Sequence, residues 1–416
     1  MIVLPFLFLG FWFLRTYKSN KMTPGNYMIL LYLIAALASI IIEANSFYTD
    51  SCIRLPLGFF TPLLYCFLLW ICISPYTVLK LPQYENKDKL KGLTTILVFY
   101  WIVFLITLFV SYQKLNTIFI EQDFVAVRGA QYTGDAESFY NHLSGMPRYL
   151  AAICSVLSPS SFIMILLFFY SITYLSYKWW YNILLIIPSI TPLLISANIA
   201  DRSMFVYWVI LFGFCFTLFE KSMTTRTKRG LLITGISIIS IFAVYFIAVT
   251  IARFAMRDSG TSGGIITYLG ENYINFCNWV NYVEPGFYLD RILPITGHYI
   301  LPIDPIPAKL KPGITGYELN GFGSFLGSLY GSAGLFFLFF YCFCYNVLST
   351  KVVRIVSKRK VFSFTYFFLL FGLCLVVVLG LFGHYYSTEN CVFGLIGWLL
   401  IGGYLQRRNH IVSRTK

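Results

Sequence analysis

Arg253 and Arg257 stand four residues apart in Ile251-Ala-Arg-Phe-Ala-Met-Arg-Asp258. Residues at i and i+4 share one helix face, so both guanidiniums project together. Two such forks side by side suit a phosphate or diphosphate, because arginine offers paired donors and stays charged. Arg202, in the tight turn Asn198-Ile-Ala-Asp-Arg-Ser203, is a third cation held between two apolar runs, where ionisable groups are commonly functional. A solvated Asp201–Arg202 couple is the alternative for that turn, and ordinary flanking charge is the alternative for the pair.

Further along, Tyr268-Leu-Gly-Glu-Asn-Tyr-Ile-Asn-Phe-Cys-Asn-Trp279 combines rings (Tyr268, Tyr273, Trp279) with amides such as Asn272 and one carboxylate, Glu271. Aromatic faces suit the C–H faces of sugars, and amides and carboxylates suit their hydroxyl edges. Glu271 is the pointed candidate, as a base for a sugar hydroxyl. Tyr and Trp also gather at membrane interfaces with no ligand at all. His298 offers a near-neutral imidazole as base or phosphate partner. It stands among Pro294, Pro302, Pro305, Pro307 and Pro312, which favour stiff extended backbone. A structural hydrogen-bonding role is the alternative for His298.

The elements that must position these groups follow from composition. Of 416 residues, 58% are hydrophobic and 12% charged, with a mean hydropathy of +0.73. Soluble domains average about 45–50% apolar and about 25% charged. A single soluble core, a disordered chain, a coiled coil and a secreted disulfide scaffold are all excluded. The class expected is all-α: a polytopic integral membrane protein forming one membrane domain over residues 1–416. Eight of the ten cysteines fall in apolar stretches, and Cys52 and Cys277 fall in polar loops. With no CxxC pair and no Cys/His cluster, they read as small buried hydrophobes, and no metal is expected.

Eleven apolar runs are candidate spans: Ile2–Leu14, Tyr27–Ile42, Leu57–Leu79, Leu93–Tyr112, Tyr149–Tyr174, Ile183–Ile199, Met204–Phe219, Leu231–Ile251, Phe325–Leu348, Phe362–Phe382 and Val392–Leu405. The first is short for a hydrocarbon core of about 30 Å, and no basic segment precedes it, which argues against a cleaved signal peptide. Placing Arg15, Lys18 and Lys21 in the cytoplasm puts 21 basic and 3 acidic residues on that side and 10 basic and 14 acidic on the other. The positive-inside rule expects such an alternation. It predicts an external N-terminus and a cytoplasmic C-terminus. The net charge of +14 is thereby spread over short cytoplasmic connections and does not point to nucleic acid.

Those connections leave no room for a nucleotide-binding domain, and no Walker or Rossmann glycine pattern occurs. Two external loops are long, residues 113–148 and residues 252–324, and long loops are commonly functional. The second carries most of the candidate chemistry and is the expected active-site loop. The stretch that leads from it into the ninth span, Asn320-Gly-Phe-Gly-Ser-Phe-Leu-Gly-Ser-Leu-Tyr-Gly-Ser-Ala-Gly334, repeats small residues at fourfold spacing, which allows close helix packing.

Taken in order, these features resemble the bacterial oligosaccharide repeat-unit polymerases, the Wzy or O-antigen polymerase family. The features are an opening pair of spans around a basic hinge, Asp201-Arg202-Ser203 and an Arg-rich end to the eighth span. Tyr268-Leu-Gly-Glu271 and Asn320–Gly334 complete the series. Many members carry an acidic residue before the glycine of that last stretch, and this chain has none from Gly331 to Gly334, so no catalytic acid is assigned there. The resemblance implies a glycosyltransferase at the outer face of the bacterial cytoplasmic membrane. Its substrates would be undecaprenyl-pyrophosphate-linked oligosaccharides, used without a nucleotide sugar, metal or other cofactor. A flippase and a chain-length regulator are the implied partners beside the lipid bilayer. Glu271 or His298 would act as the base, and Arg202, Arg253 and Arg257 would hold the pyrophosphate. Tyr268, Asn272, Tyr273, Trp279 and Asn320 would contact the glycan. An O-antigen ligase shares this topology and donor. A flippase or other transporter would show internal repeats and broken helices, and a membrane O-acyltransferase would show a His/Asp or Ser arrangement within a span.

Overall fold

The computed structural model describes residues 1–45, 58–82, 89–121, 144–198, 201–233, 235–237, 239–240, 260–282, 285, 292–296, 323–358 and 362–409. Among these residues the regular structure is helical. The principal helices are α1 (Leu4–Asn20), α2 (Pro24–Asn45), α3 (Phe60–Thr77), α4 (Leu93–Glu121), α5 (Gly145–Leu157) and α6 (Ile163–Tyr174). They continue with α7 (Trp179–Ile186), α8 (Thr191–Ala197), α9 (Ser203–Phe219), α10 (Gly260–Tyr282), α11 (Ser324–Lys358), α12 (Phe364–Val378) and α13 (Glu389–Arg408). Residues 225–233 are also helical.

Seven helical segments among the described residues are long and apolar enough to cross a membrane: Pro24–Asn45, Phe60–Thr77, Leu93–Tyr112, Gly145–Tyr174, Trp179–Ala197, Ser203–Ser222 and Ser324–Lys358. Their unburied faces are apolar. On α4, Val98, Ile102, Leu105 and Phe109 are exposed, and on α11 Phe336, Phe340, Phe343 and Val347 are exposed. Stripes of this kind suit lipid, and the chain is a multi-pass helical membrane protein. Of the remaining expected spans, α1 has 17 residues and α12 has 15, while α13 carries Glu389, Arg407 and Arg408. The span at 231–251 lies largely outside the described residues.

Two of the crossing segments are jointed at a proline. Pro159 lies in a 3-10 turn, Ser158–Phe162, between α5 and α6, and Pro188 lies in another, Ile187–Ile190, between α7 and α8. Proline removes a backbone donor and blocks the carbonyl a turn earlier, so a membrane helix must satisfy such joints with side chains. Trp398 Nε1 donates to the Ser160 carbonyl at 2.6 Å, and Tyr100 OH donates to it at 3.2 Å. At the second joint Trp208 Nε1 donates to Ser189 Oγ at 2.9 Å.

The chain forms two compact units. One comprises Met1–Lys80, Arg257–Lys358 and Leu370–Val392, and the other Leu81–Met256, Arg359–Leu369 and Phe393–Lys416. Both joints belong to the second unit. The first contains α1, α2, α3, α10 and α11.

The stretches expected as long external loops hold helix. α4 runs on to Glu121, nine residues beyond the expected end of its span at Tyr112, and α5 opens at Gly145. Within 252–324, α10 is a helix of 23 residues, about 34 Å at the usual rise per residue. Hydropathy passes over it because Thr267, Glu271, Asn272, Asn275 and Asn278 are polar. All five are nonetheless buried, and so is Cys277, which the sequence had placed in a polar loop.

Candidate functional site

The site is built on α10, whose faces are divided by residue type. Gly270 sets it against α2. A Cβ there would lie 2.5 Å from the Ser39 backbone nitrogen and 2.6 Å from the Ala38 carbonyl carbon, and Ser39 Oγ donates to the Gly270 carbonyl at 2.6 Å. The next face carries Tyr273 and Phe276, whose rings stand 5.1 and 5.2 Å from that of Tyr65 on α3. Trp279 takes the third face, its ring fitted over Gly323 and Gly327 at the start of α11. The fourfold glycine spacing of that stretch therefore seats an indole. At the far end Asn281 Nδ2 donates to Thr61 Oγ1 at 3.4 Å.

With those faces packed, the polar residues share a stripe. Thr267, Glu271, Asn275 and Asn278 follow one another at spacings of four, four and three, which places them along one side of the helix. Each is enclosed by protein, with Glu271 at 6% exposure. Asn272 is fully buried, and its Nδ2 donates to the Leu269 carbonyl at 2.7 Å, while its Oδ1 has no hydrogen-bond partner among the described residues. Carboxyl and amide groups removed from water are costly unless hydrogen-bonded, and ionisable groups inside a membrane bundle are commonly functional.

A second polar group adjoins α10 through the contact of Tyr268 with Phe382, whose ring centroids are 5.8 Å apart. Phe382 belongs to the buried turn after α12, which also presents His384. The imidazole is 6% exposed, and its Nε2 lies 3.2 Å from Tyr341 OH. The His384 backbone N–H donates to Ser328 Oγ at 3.4 Å. Ser328 and Tyr341 flank Gly334, where α11 breaks with φ of 75°. That left-handed backbone is open to glycine at little cost. The turn after α12 thus braces both sides of the break. Sequence alone points to His298; the signal for His384 is a histidine inside a run otherwise free of charge.

Burial disfavours the imidazolium and pushes the His384 pKa down from 6.5 to about 4. Among the described residues Tyr341 and Tyr386 meet its ring, and Tyr385 follows it in the chain. An unfolded chain takes up this proton near pH 6.5, and the folded protein does not until about pH 4. Stability is therefore full above pH 6.5 and declines as pH falls toward 4, by about 3 kcal/mol from this residue. Melting of the detergent-solubilised protein at pH 7.5 and pH 5 checks this, with His384→Gln expected to flatten the difference.

The other expected residues are distributed as follows. Tyr268, Glu271, Asn272, Tyr273 and Trp279 lie together on α10, but Tyr273 and Trp279 are only 1% and 2% exposed, so neither ring offers a free face. Arg202 is 9% exposed and belongs to the other compact unit, at the N-terminus of α9. Beside it the Asp201 carboxylate accepts from Ser203 Oγ and from Ser196 Oγ, which caps the turn. Arg253, Arg257, His298 and Asn320 lie outside the described residues. Among the described residues no group of His, Cys, Asp and Glu could hold a metal ion. No family model, no curated protein and no solved structure matches the chain.

Proposed function

We propose that the protein is a glycosyltransferase that polymerises undecaprenyl-pyrophosphate-linked oligosaccharide repeat units into O-antigen or a related surface polysaccharide. It works at the outer face of the bacterial cytoplasmic membrane, in an eleven-span arrangement with an external N-terminus and a cytoplasmic C-terminus. The observation that carries this reading is the buried carboxylate of Glu271 in the amide stripe of α10. Thr267, Glu271, Asn275 and Asn278 put a hydroxyl, a carboxyl group and amides along one side of one helix, the groups that a hydroxyl-rich substrate calls for.

In the proposed reaction a hydroxyl of the acceptor repeat unit attacks the anomeric carbon at the reducing end of the growing glycan. A C–O bond forms as the bond from that carbon to the carrier pyrophosphate breaks, and the pyrophosphate leaves with the electron pair. Glu271 takes the hydroxyl proton, with His298 as the other candidate base. Arg202, Arg253 and Arg257 hold the departing diphosphate, whose negative charge grows as the bond lengthens. No nucleotide sugar or metal enters this scheme. A flippase delivers the substrate and a chain-length regulator acts beside the enzyme.

Deleting the gene separates polymerase from ligase. Loss of a polymerase leaves a single repeat unit on the acceptor, and loss of a ligase leaves none. Arg253→Ala and Arg257→Ala are each expected to lower elongation by about a hundredfold at normal protein level, as removal of a transition-state donor does. Gel profiles of the glycan ladder report it, and unchanged chain length in both variants would count against the scheme.

One observation favours a second reading. The break of α11 at Gly334 puts non-helical backbone next to an apolar segment, as in carriers that bind their cargo between half-helices. Movement of lipid-linked saccharide across reconstituted vesicles, without elongation, would select that reading.

A further inference from the structure

His384 has a hydrogen-bonding state that its neighbours determine. Among the described residues Tyr341 OH has one polar neighbour, His384 Nε2 at 3.2 Å. If the hydroxyl donates to Nε2, Tyr341 is satisfied and the ring proton resides on Nδ1. If Nε2 donates instead, the tyrosine proton and the Nδ1 lone pair are both left over. The first arrangement strands one group in place of two and is preferred in a buried setting. Nδ1 has no hydrogen-bond partner among the described residues. His384 is thus a buried, neutral N–H donor aimed away from Tyr341.

The surroundings define what can accept from it. No Lys or Arg occurs from residue 361 to residue 406, along α10, or from residue 313 to residue 350. An anion at this turn would meet no countercharge from those segments, so burial there favours an uncharged partner. Ser328, Tyr385 and Tyr386 add hydroxyls around the same turn, and Tyr268 joins it to the helix of Glu271. We propose that His384 is a substrate-binding residue whose Nδ1–H donates to a hydroxyl oxygen of the glycan, while the diphosphate is left to the arginines. This rests on the glycosyltransferase reading and deepens it.

Side-chain geometry provides the test. An asparagine amide nitrogen reaches the place of Nδ1, and a glutamine amide nitrogen reaches the place of Nε2. With lipid-linked repeat units extracted from a strain lacking the protein, His384→Asn is expected to keep kcat/KM within about threefold. His384→Gln and His384→Leu are expected to lose about ten- to a hundredfold, mostly in KM, at unchanged protein level. Equal losses in the Asn and Gln variants, or no loss in either, overturn the proposal.

A second measurement holds even if a variant fails to fold. In the wild-type protein with 15N-labelled histidine, one imidazole should be protonated at Nδ1 and neutral at pH 7, and its Nδ1–H signal should shift when the extracted repeat units are added. Farnesyl diphosphate, which carries no sugar, should leave it in place. A signal that ignores the saccharide, or that moves with farnesyl diphosphate alone, refutes the role of His384. Absence of elongation by wild-type protein, with the saccharide-dependent shift retained, refutes the polymerase reading and leaves a glycan site.

Discussion

Replacing Glu271 by Gln is expected to lower glycan elongation by about 10²- to 10⁴-fold while leaving the fold intact. The range is that of a positioned general base. Gln keeps the length and shape of the side chain, so the packing of α10 around this 6% exposed position is preserved. It exchanges one acceptor oxygen for an NH2 donor and removes the ability to hold the acceptor's proton. Elongation of extracted lipid-linked repeat units by purified protein measures the loss, with melting temperature as the control for folding. Activity retained within threefold would remove Glu271 from the chemistry. A loss of activity matched by a loss of folding in Glu271→Gln would reassign it to a structural part.

A large effect on stability is expected at the residue before it. Gly270→Ala drives a methyl group to within 2.5–2.6 Å of the α2 backbone at Ser39 and Ala38, with Ile42 Cδ1 at 2.7 Å. Backbone atoms cannot swing aside, so the two helices must separate. The short bond from Ser39 Oγ to the Gly270 carbonyl would be stretched in the same movement. Overpacking of this kind costs about 1–3 kcal/mol. Gly403→Ala is the matched control, because a Cβ there meets nothing within 4 Å and alanine favours helix. Melting in detergent should show a clear drop for the first and no drop for the second. Activity should fall with the first as well, since the same contact holds Glu271 in register.

These two positions also show how far sequence reasoning reaches. Glu271 was visible because a lone carboxylate among rings and amides is rare in so apolar a chain. The helix that carries it was not visible. Window hydropathy averages the Thr, Glu and Asn residues of α10 with its aromatics and returns a loop. Burial is decided residue by residue, and α10 keeps its polar side chains on one stripe while Gly270, Tyr273 and Trp279 dock elsewhere. Tyr273 and Trp279 were legible as residue types suited to sugars, yet the partners that enclose them, Tyr65 and the glycines at 323 and 327, are remote in sequence. The same remoteness hid His384, whose roles depend on Tyr341 and Ser328, 43 and 56 residues away.

By itself, then, the amino-acid sequence determined that the chain is helical and crosses a membrane several times, because runs of apolar residues leave no other way to satisfy both backbone and side chains in lipid. It also determined that the ionisable residues within it are few enough to be singled out one by one. Tertiary structure alone decided which of them lie on a buried face. It also decided that the presumed active-site loop contains a packed helix, and that an overlooked imidazole is locked by a tyrosine. Those outcomes turn on contacts between segments tens to hundreds of residues apart, where close approach at a glycine or the geometry of one hydroxyl sets the arrangement.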